Sequence, residues 1–104
     1  MTDTNLSMMR GDTFAFGFEV EGLNALTSAY FTARAGYDGD IVFQKALNDG
    51  ITLVEAGKYR VRVAPADTLG VDAGRYYYDL QIGANDDIYT ILKGVLEIEQ
   101  DVTY

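Results

Sequence analysis

The sequence predicts an all-β protein, an antiparallel β-sandwich of about seven strands. Three observations lead to this prediction. Apolar and polar residues alternate with period two along most of the chain, turn signals recur about every 8–12 residues, and no helical period is long enough to cover a sheet. Such alternation gives each strand one buried and one solvated face, which favours antiparallel pairing over a parallel sheet. A closed barrel is the alternative that the same pattern allows.

The clearest strand comprises residues 13–20, where three phenylalanines and a valine alternate with small or polar residues. Residues 75–82 alternate in the same way, with tyrosines on both faces. The complete set of predicted strands is 13–20, 29–35, 41–47, 51–54, 58–63, 75–82 and 88–98. We expect the last strand to bend at Gly94.

Glycine and proline mark the connections. Asp-Gly pairs at 38–39 and 49–50 supply a positive φ at low cost, and Ala56-Gly57 is a third break. Pro65 removes a backbone donor and begins a segment outside the sheets, in which residues 65–69 are expected to form one helical turn.

The length of 104 residues allows one hydrophobic core. We expect a flexible N-terminal arm at residues 1–9, a single sandwich domain at 10–100 and a C-terminal tail at 101–104. Residues 1–9 lack the cationic start and the apolar stretch of a secretion signal, and no apolar run approaches the roughly 20 residues of a membrane helix. We therefore expect a chain that is made in the cytosol and has no membrane partner.

The composition argues against most catalytic chemistry. The chain has no histidine, no cysteine and therefore no disulfide, and its formal net charge is −8. The usual zinc ligands, thiol nucleophiles and histidine bases are absent, and an acidic chain is poorly suited to binding phosphate backbones. We therefore assign no catalytic, cofactor-binding or metal-binding residue, no cofactor and no nucleic-acid partner.

Carboxylates in the predicted loops leave one metal alternative open. Calcium takes six or more oxygen ligands, which two converging loops could supply, although the spacing is not that of an EF-hand. The residues concerned are Asp38, Asp40, Asp67, Asp72, Asp86 and Asp87. Aspartate and glycine are also common in hairpin turns for backbone reasons alone, so solvated turns are the simpler interpretation.

Residues 72–78, Asp-Ala-Gly-Arg-Tyr-Tyr-Tyr, resemble the Asp-x-Gly-x-Tyr-x-Cys run at the start of strand F in immunoglobulin domains. The resemblance implies an immunoglobulin-like sandwich in which Tyr78 replaces the cysteine and Phe31 replaces the strand-C tryptophan. It also implies a structural corner, in which a buried tyrosine ring bonds through its hydroxyl to backbone a few residues upstream. The corner residues are Asp72, Gly74 and Tyr76.

A second likeness covers nearly the whole chain. Its segments are Arg10-Gly11-Asp12-Thr13, residues 26–34, Pro65-Ala66-Asp67-Thr68 and residues 74–80. Together they are similar to the immunoglobulin-like domain of bacteriophage virion proteins, such as the N-terminal domain of baseplate upper proteins. This resemblance implies a structural module of a phage or prophage particle, assembled in the host cytoplasm, that holds tail, baseplate or head-surface components together. Its partners would be other virion proteins and further copies of itself.

Eight tyrosines indicate contacts with other proteins, because tyrosine gives a large contact area at low entropic cost. By alternation Tyr30 and Tyr77 face outward, and the small residues Ala15 and Gly17 would let another backbone approach closely. These four residues are the candidate interface. Isolated exposed aromatics, and a bulge or twist at Gly17, are the ordinary alternatives.

We interpret two charged motifs as structural features and not as binding sites. Arg60 and Arg62 share an outward face, where we expect weak cross-strand ion pairs. Arg10-Gly11-Asp12 matches the integrin-recognition tripeptide, but we interpret it as the turn that precedes the first aromatic strand.

These observations predict a non-catalytic phage or prophage structural protein that mediates protein–protein assembly in the virion. The alternative is a module whose loops recognise a bacterial surface glycan or peptide, with or without calcium.

Overall fold

A computed structural model describes residues 2–20, 26–36, 39–84 and 86–100 of the chain. Two predicted features lie outside these residues, namely Asp38 of the first Asp-Gly turn and the tail at 101–104. Within the described residues the protein is all-β, with nine strands and one helix of four residues.

The strands form two layers packed face to face. The larger layer contains β1 (Thr2–Asp3), β2 (Leu6–Met9), β4 (Ser28–Arg34), β5 (Ile41–Leu47), β8 (Gly74–Ala84) and β9 (Asp87–Glu99). The smaller layer contains β3 (Phe14–Glu19), β6 (Gly50–Glu55) and β7 (Lys58–Val63). The helix α1 (Pro65–Thr68) follows β7 in the chain.

Strand pairing follows the order β1-β9-β8-β4-β5-β6-β7-β3, with β2 also paired to β9. The link between the layers is short: β5 and β6 share two parallel residue pairs, Ala46 with Gly50 and Leu47 with Ile51. Asn48 and Gly50 have φ values of 68° and 101°, which let the chain reverse between these pairs and pass to the other layer. A β6-β7-β3 layer against a β9-β8-β4-β5 layer is the arrangement of an immunoglobulin-like sandwich. The fold class predicted from the sequence is confirmed.

Aromatic rings join the two layers in place of a disulfide. Phe31 of β4 is fully buried, and its ring centroid lies 5.3 Å from that of Phe16 on β3, edge to face. Its other ring neighbours are Tyr78 of β8 at 5.4 Å and Phe43 of β5 at 5.9 Å. Aromatic pairs of this kind contribute about 0.5–1.5 kcal/mol each beyond the area that they bury. The cluster therefore connects the sheets without a covalent bond.

All seven strands predicted from alternation are present, as β3 to β9. In β7 the buried residues Tyr59, Val61 and Val63 occupy every second position, and exposed cations occupy the positions between them. Residues Pro65–Thr68 form the predicted helical turn. Among the described residues this is the longest helix, and none is long and apolar enough to span a membrane.

The structure corrects the prediction that residues 1–9 form a flexible arm outside the domain. Leu6–Met9 pairs with residues 96–99 of β9, Thr2–Asp3 pairs with residues 92–93, and Met8 is buried. Both pairings are parallel, so the sandwich is antiparallel except here and at the β5–β6 link. Strands of two and four residues are too short to show a period, which is why the sequence pattern missed them.

Gly94 accommodates a close backbone approach, and the pairing of β8 with β9 has no register shift at this residue. A Cβ at residue 94 would meet the backbone carbonyl of Thr4, which also accepts a hydrogen bond from the Tyr78 hydroxyl. The Thr4 N–H donates to the Lys93 carbonyl at 2.8 Å. The irregularity in the β8–β9 pairing lies elsewhere, at the step from Leu80 to Gln81.

Candidate docking surfaces

The four candidate interface residues lie on opposite sides of the sandwich. Tyr30 is on the outer face of the larger layer, because the next residue on β4, Phe31, is buried on the inner face. Tyr77 is on the same outer face, because it stands opposite Arg34, which shares the face of Tyr30. Ala15 and Gly17 are on the outer face of the smaller layer, on either side of the inward Phe16. The structure therefore does not bring these four residues together, and it defines two separate surfaces.

The tyrosine face is the outer side of β4, β8 and β9. It comprises Tyr30, Thr32, Arg34, Tyr77, Asp79 and Lys93. Asp79 stands directly across from Thr32 on one neighbouring strand and from Lys93 on the other. Two cations and one carboxylate thus lie together on a protein whose formal net charge is −8, so this face is less acidic than the chain as a whole.

Side-chain hydrogen bonds order the tyrosine face. The Gln44 Nε2 donates to the Thr32 Oγ1 at 2.9 Å, and the Gln81 Nε2 donates to the Thr90 Oγ1 at 3.5 Å. The Arg34 guanidinium donates to the Gly39 carbonyl at 3.0 Å, which links the face to the β4–β5 connection. A face that is already ordered loses less side-chain freedom when a partner binds.

An open groove of about 470 Å³ crosses the tyrosine face, and its lining includes Asn5, Arg34, Tyr77, Asp79 and Lys93. Partial burial raises the pKa of the Asp79 carboxyl above 3.8, an effect that the nearby Arg34 charge opposes. The groove offers hydrogen bonds and charge to a partner. Among the residues that the structure describes, its lining contains one carboxylate, whereas glycosidic hydrolysis uses two placed on either side of the bond.

The structural corner lies at the start of β8. The Tyr76 hydroxyl donates to the Asp72 carbonyl at 2.5 Å, and the half-buried ring packs against the core. Desolvation raises the pKa of the Tyr76 hydroxyl above 10.0, and the Asp72 charge raises it further. Gly74 begins the strand, opposite Ile98 of β9. This is the geometry expected of a tyrosine corner, and its role is structural.

The described loop carboxylates do not form a cluster, and one of them, Asp67, contacts other parts of the fold. Asp67 accepts a hydrogen bond from the Ala64 N–H at 2.7 Å and forms an ion pair with Lys45 at 2.9 Å. In the part of the chain that the structure describes, no three acidic side chains are grouped to hold a metal ion. The calcium alternative therefore has no geometric support there, and Asp38 lies outside that part.

The arginine face is the outer side of β3 and β7, and it comprises Ala15, Gly17, Glu19, Lys58, Arg60 and Arg62. The predicted ion pairs of Arg60 and Arg62 are wrong. Arg60 stands between Gly17 and Thr52, and Arg62 stands beside Ala15, so none of the described carboxylates is opposite either arginine. Lys58 has the carboxylates instead, at 2.9 Å from Glu55 and 3.8 Å from Glu19.

The Arg10-Gly11-Asp12 tripeptide lies in the turn before β3. Gly11 is buried with a φ of 80°, and its N–H donates to the Oγ1 of the fully buried Thr68 at 2.9 Å. The Asp12 N–H donates to the Met9 carbonyl at 3.2 Å. Sequence analysis missed Thr68, because nothing in a four-residue helix distinguishes a buried threonine from an exposed one.

The fold and these surfaces define a small immunoglobulin-like domain with an ordered, tyrosine-bearing sheet face. No family model matches the chain, and no curated protein matches it. One solved structure similar to it is that of the extracellular domains of the voltage-gated sodium channel beta4 subunit, described as parallel homodimers that explain its role in cell–cell adhesion. That structure is 14% identical, the match covers 96% of this chain and 93% of that chain, and the TM-score is 0.45. We draw no functional conclusion from a likeness of this size.

Proposed function

We propose that this chain is a non-catalytic structural protein of a phage or prophage particle, and that it binds a neighbouring virion protein through its tyrosine face. The resemblance of its motifs to virion immunoglobulin-like domains supports a place in a phage particle. The observation that supports assembly is Tyr30, which is 42% exposed on an ordered sheet face beside Arg34 and Asp79.

Side-chain chemistry favours this face, and its charge allows an acidic neighbour. Most of a domain with a net charge of −8 would repel such a neighbour, whereas cations outnumber carboxylates on the tyrosine face, as they also do on the arginine face. Tyrosine and arginine are enriched at the centres of protein interfaces, and the threonines and glutamines around them supply hydrogen bonds.

The first test is mass spectrometry of purified particles from a strain that carries the gene. We expect the protein in many copies per particle. Its absence from intact particles would contradict the proposal.

A pair of tyrosine variants tests the surface. Tyr30→Ser removes the most exposed ring of the tyrosine face. Tyr89→Ser removes a ring with a similar exposure, 44%, near the start of β9 and opposite Ile82. We expect Tyr30→Ser to reduce incorporation into particles roughly tenfold, the loss expected for one interface anchor, and Tyr89→Ser to leave it unchanged. Equal incorporation of both variants would exclude the tyrosine face as the contact.

The alternative function, recognition of a glycan or peptide, is tested by a ligand screen. Screening the purified domain against bacterial surface glycans, with and without calcium, would reveal a saturable rise in melting temperature if the alternative holds. No response to glycans, together with presence in particles, leaves the structural function in place.

A further inference from the structure

We propose that two copies of this chain associate through the free edges of β3, and that the contact is set by an intermolecular ion pair between Glu19 of one copy and Arg62 of the other. The inference depends on the smaller layer of the fold and not on the proposed function, which uses the opposite side of the sandwich.

The edge is open and regular. β3 ends the strand order, and β7 is its single neighbour among the described residues, because the N-terminal strands pair with β9 instead. In an antiparallel strand alternate residues direct both N–H and C=O away from the existing partner, so β3 presents unpaired groups along this edge. Its six-residue register with β7 contains no bulge.

Apart from the outward Glu19 at its end, β3 lacks the features that protect edge strands. Proteins commonly place lysine, proline, a bulge or an inward charge on an exposed edge. The residues of β3 are Phe14, Ala15, Phe16, Gly17, Phe18 and Glu19. Phe14 and Phe16 are half-buried, so part of their apolar surface stays exposed until a neighbour covers it.

The faces of the strand limit the registers in which a second β3 can pair. Outward residues must oppose outward residues, because a shift of one residue would place phenylalanine against the solvated side. An antiparallel arrangement with Gly17 opposite Gly17 meets this condition, and it places Ala15 of each copy opposite Glu19 of the other. It also sets Phe16 opposite Phe18 on the inner side, an aromatic cross-strand pair.

This register brings Glu19 of one copy near Arg62 of the other. Within one copy Glu19 lies 3.8 Å from Lys58, which has a nearer partner in Glu55 at 2.9 Å. Arg62 stands beside Ala15 and has no carboxylate opposite it among the described residues. The Glu19 of a second copy would occupy the next strand position, about 9.6 Å or two strand spacings from the Arg62 backbone. Extended arginine and glutamate side chains span that distance across the small Ala15. By two-fold symmetry the ion pair forms twice.

The same register limits repulsion. The two Arg60 residues would be three strand spacings apart, about 14 Å, which exceeds the Debye length of about 8 Å at physiological ionic strength. A second register of the two β3 strands pairs the same number of residues and also keeps outward residues opposite each other. It places Ala15 opposite Gly17, and Glu19 then lies opposite Thr13, outside the β3 of the other copy. In that register no carboxylate lies beside Arg62. Charge therefore selects the Gly17-centred pairing.

A charge exchange tests the contact by sedimentation velocity across protein concentration at physiological ionic strength. We expect the wild-type chain to form dimers, and Glu19→Arg or Arg62→Glu alone to weaken association roughly tenfold through loss of two exposed ion pairs and new repulsion. The double variant, Glu19→Arg with Arg62→Glu, should restore it.

Glu55→Arg is the matched control, because it makes the same charge change and also removes a Lys58 ion pair, but it lies on β6. It should leave association unchanged, as should Tyr30→Ser on the other layer. Unfolding curves of every variant confirm that the monomers fold. Amide exchange should show new protection within β3 as the dimer forms.

Three results would overturn the inference. The first is a mass that stays monomeric up to about 1 mM protein, where even a millimolar dissociation constant would give dimers. The second is a dimer that Glu19→Arg does not weaken or that the charge exchange does not restore, and the third is protection that appears outside β3. Loss of the protein from particles would contradict the proposed function and leave these results unaffected.

Discussion

Tyr76 shows how one hydroxyl stabilises the start of a strand. Its bond to the Asp72 carbonyl fixes the entry into β8, while its ring packs against the core. We expect Tyr76→Phe to lower the free energy of unfolding by about 1 kcal/mol at pH 7, the usual net value of one hydrogen bond. Tyr89→Phe is the control, because its hydroxyl lies at 3.4 Å from Asp87 on an exposed site.

The pH dependence of the same variant has a defined sign. Burial raises the folded-state pKa of Tyr76 above its usual 10.0, so the unfolded chain loses this proton first as pH rises. The contribution is complete below pH 10 and is lost as pH rises through the folded pKa. The stability gap between wild type and Tyr76→Phe should therefore narrow above pH 10 in denaturant unfolding. A gap that widens there would contradict this account.

The backbone of Thr4 lies so close to Gly94 that it leaves no room for a side chain at this position. We expect Gly94→Ala to destabilise the protein by about 1–3 kcal/mol, because the added methyl group would displace the Thr4 carbonyl. Gly70→Ala is the matched control, since a Cβ at residue 70 meets nothing within 4 Å. Denaturant unfolding measures both, and amide exchange should show β1 and β2 opening first in Gly94→Ala. Equal stabilities for the two variants would exclude the clash.

At the scale of elements, the sequence predicted the strands that show a period-two pattern or are bounded by clear turns. Alternation and the turn residues between strands located β3 to β9, and β6, in which only Ile51 is buried, was located from the turns on either side of it. β1 and β2 are too short for this, and their place is set by tertiary contacts of Tyr78 and Gly94 with Thr4. Parallel pairing between distant segments leaves no local signal in a single sequence.

The helix α1 contacts two distant parts of the fold, β5 and the turn at Gly11. Asp67 pairs with Lys45 of β5, and the Thr68 hydroxyl accepts the Gly11 N–H. We expect Thr68→Val to cost about 1–3 kcal/mol, because it keeps the shape but leaves a buried N–H without an acceptor. Thr13→Val, at an exposed position, is the control. Chemical denaturation of both variants measures the difference, and a loss equal to that of the control would show that the bond contributes nothing.

At the scale of the whole molecule, the candidate interface was predictable only in part. Alternation placed Tyr30, Tyr77, Ala15 and Gly17 outward, and each lies on an outer face. It could not show that the two pairs lie on opposite layers, because the side of a sandwich depends on strand order. Among the described residues Arg62 has no carboxylate opposite it and β3 has one free edge. Both features likewise follow from topology, which no local pattern encodes.

The stability of the whole sandwich depends on Phe31, because its ring contacts Phe16 in the other layer as well as Phe43 and Tyr78 in its own. We expect Phe31→Ala to cost about 3–5 kcal/mol, a large part of the 5–15 kcal/mol that holds such domains folded. Phe31→Leu keeps most of the volume and should cost about 1.5 kcal/mol or less, so it stays measurable if the alanine variant unfolds.

The half-buried Phe14 provides the matched control for Phe31. Its ring contacts Phe16 at 5.9 Å but lies at the end of β3 nearest the Gly11 turn, so Phe14→Ala should cost less than Phe31→Ala. Calorimetry of Phe31→Leu should show a single transition at a lower temperature, because a cluster that joins both layers makes them unfold together. Two separate transitions, or a smaller loss for Phe31→Ala than for Phe14→Ala, would show that some other contact holds the layers.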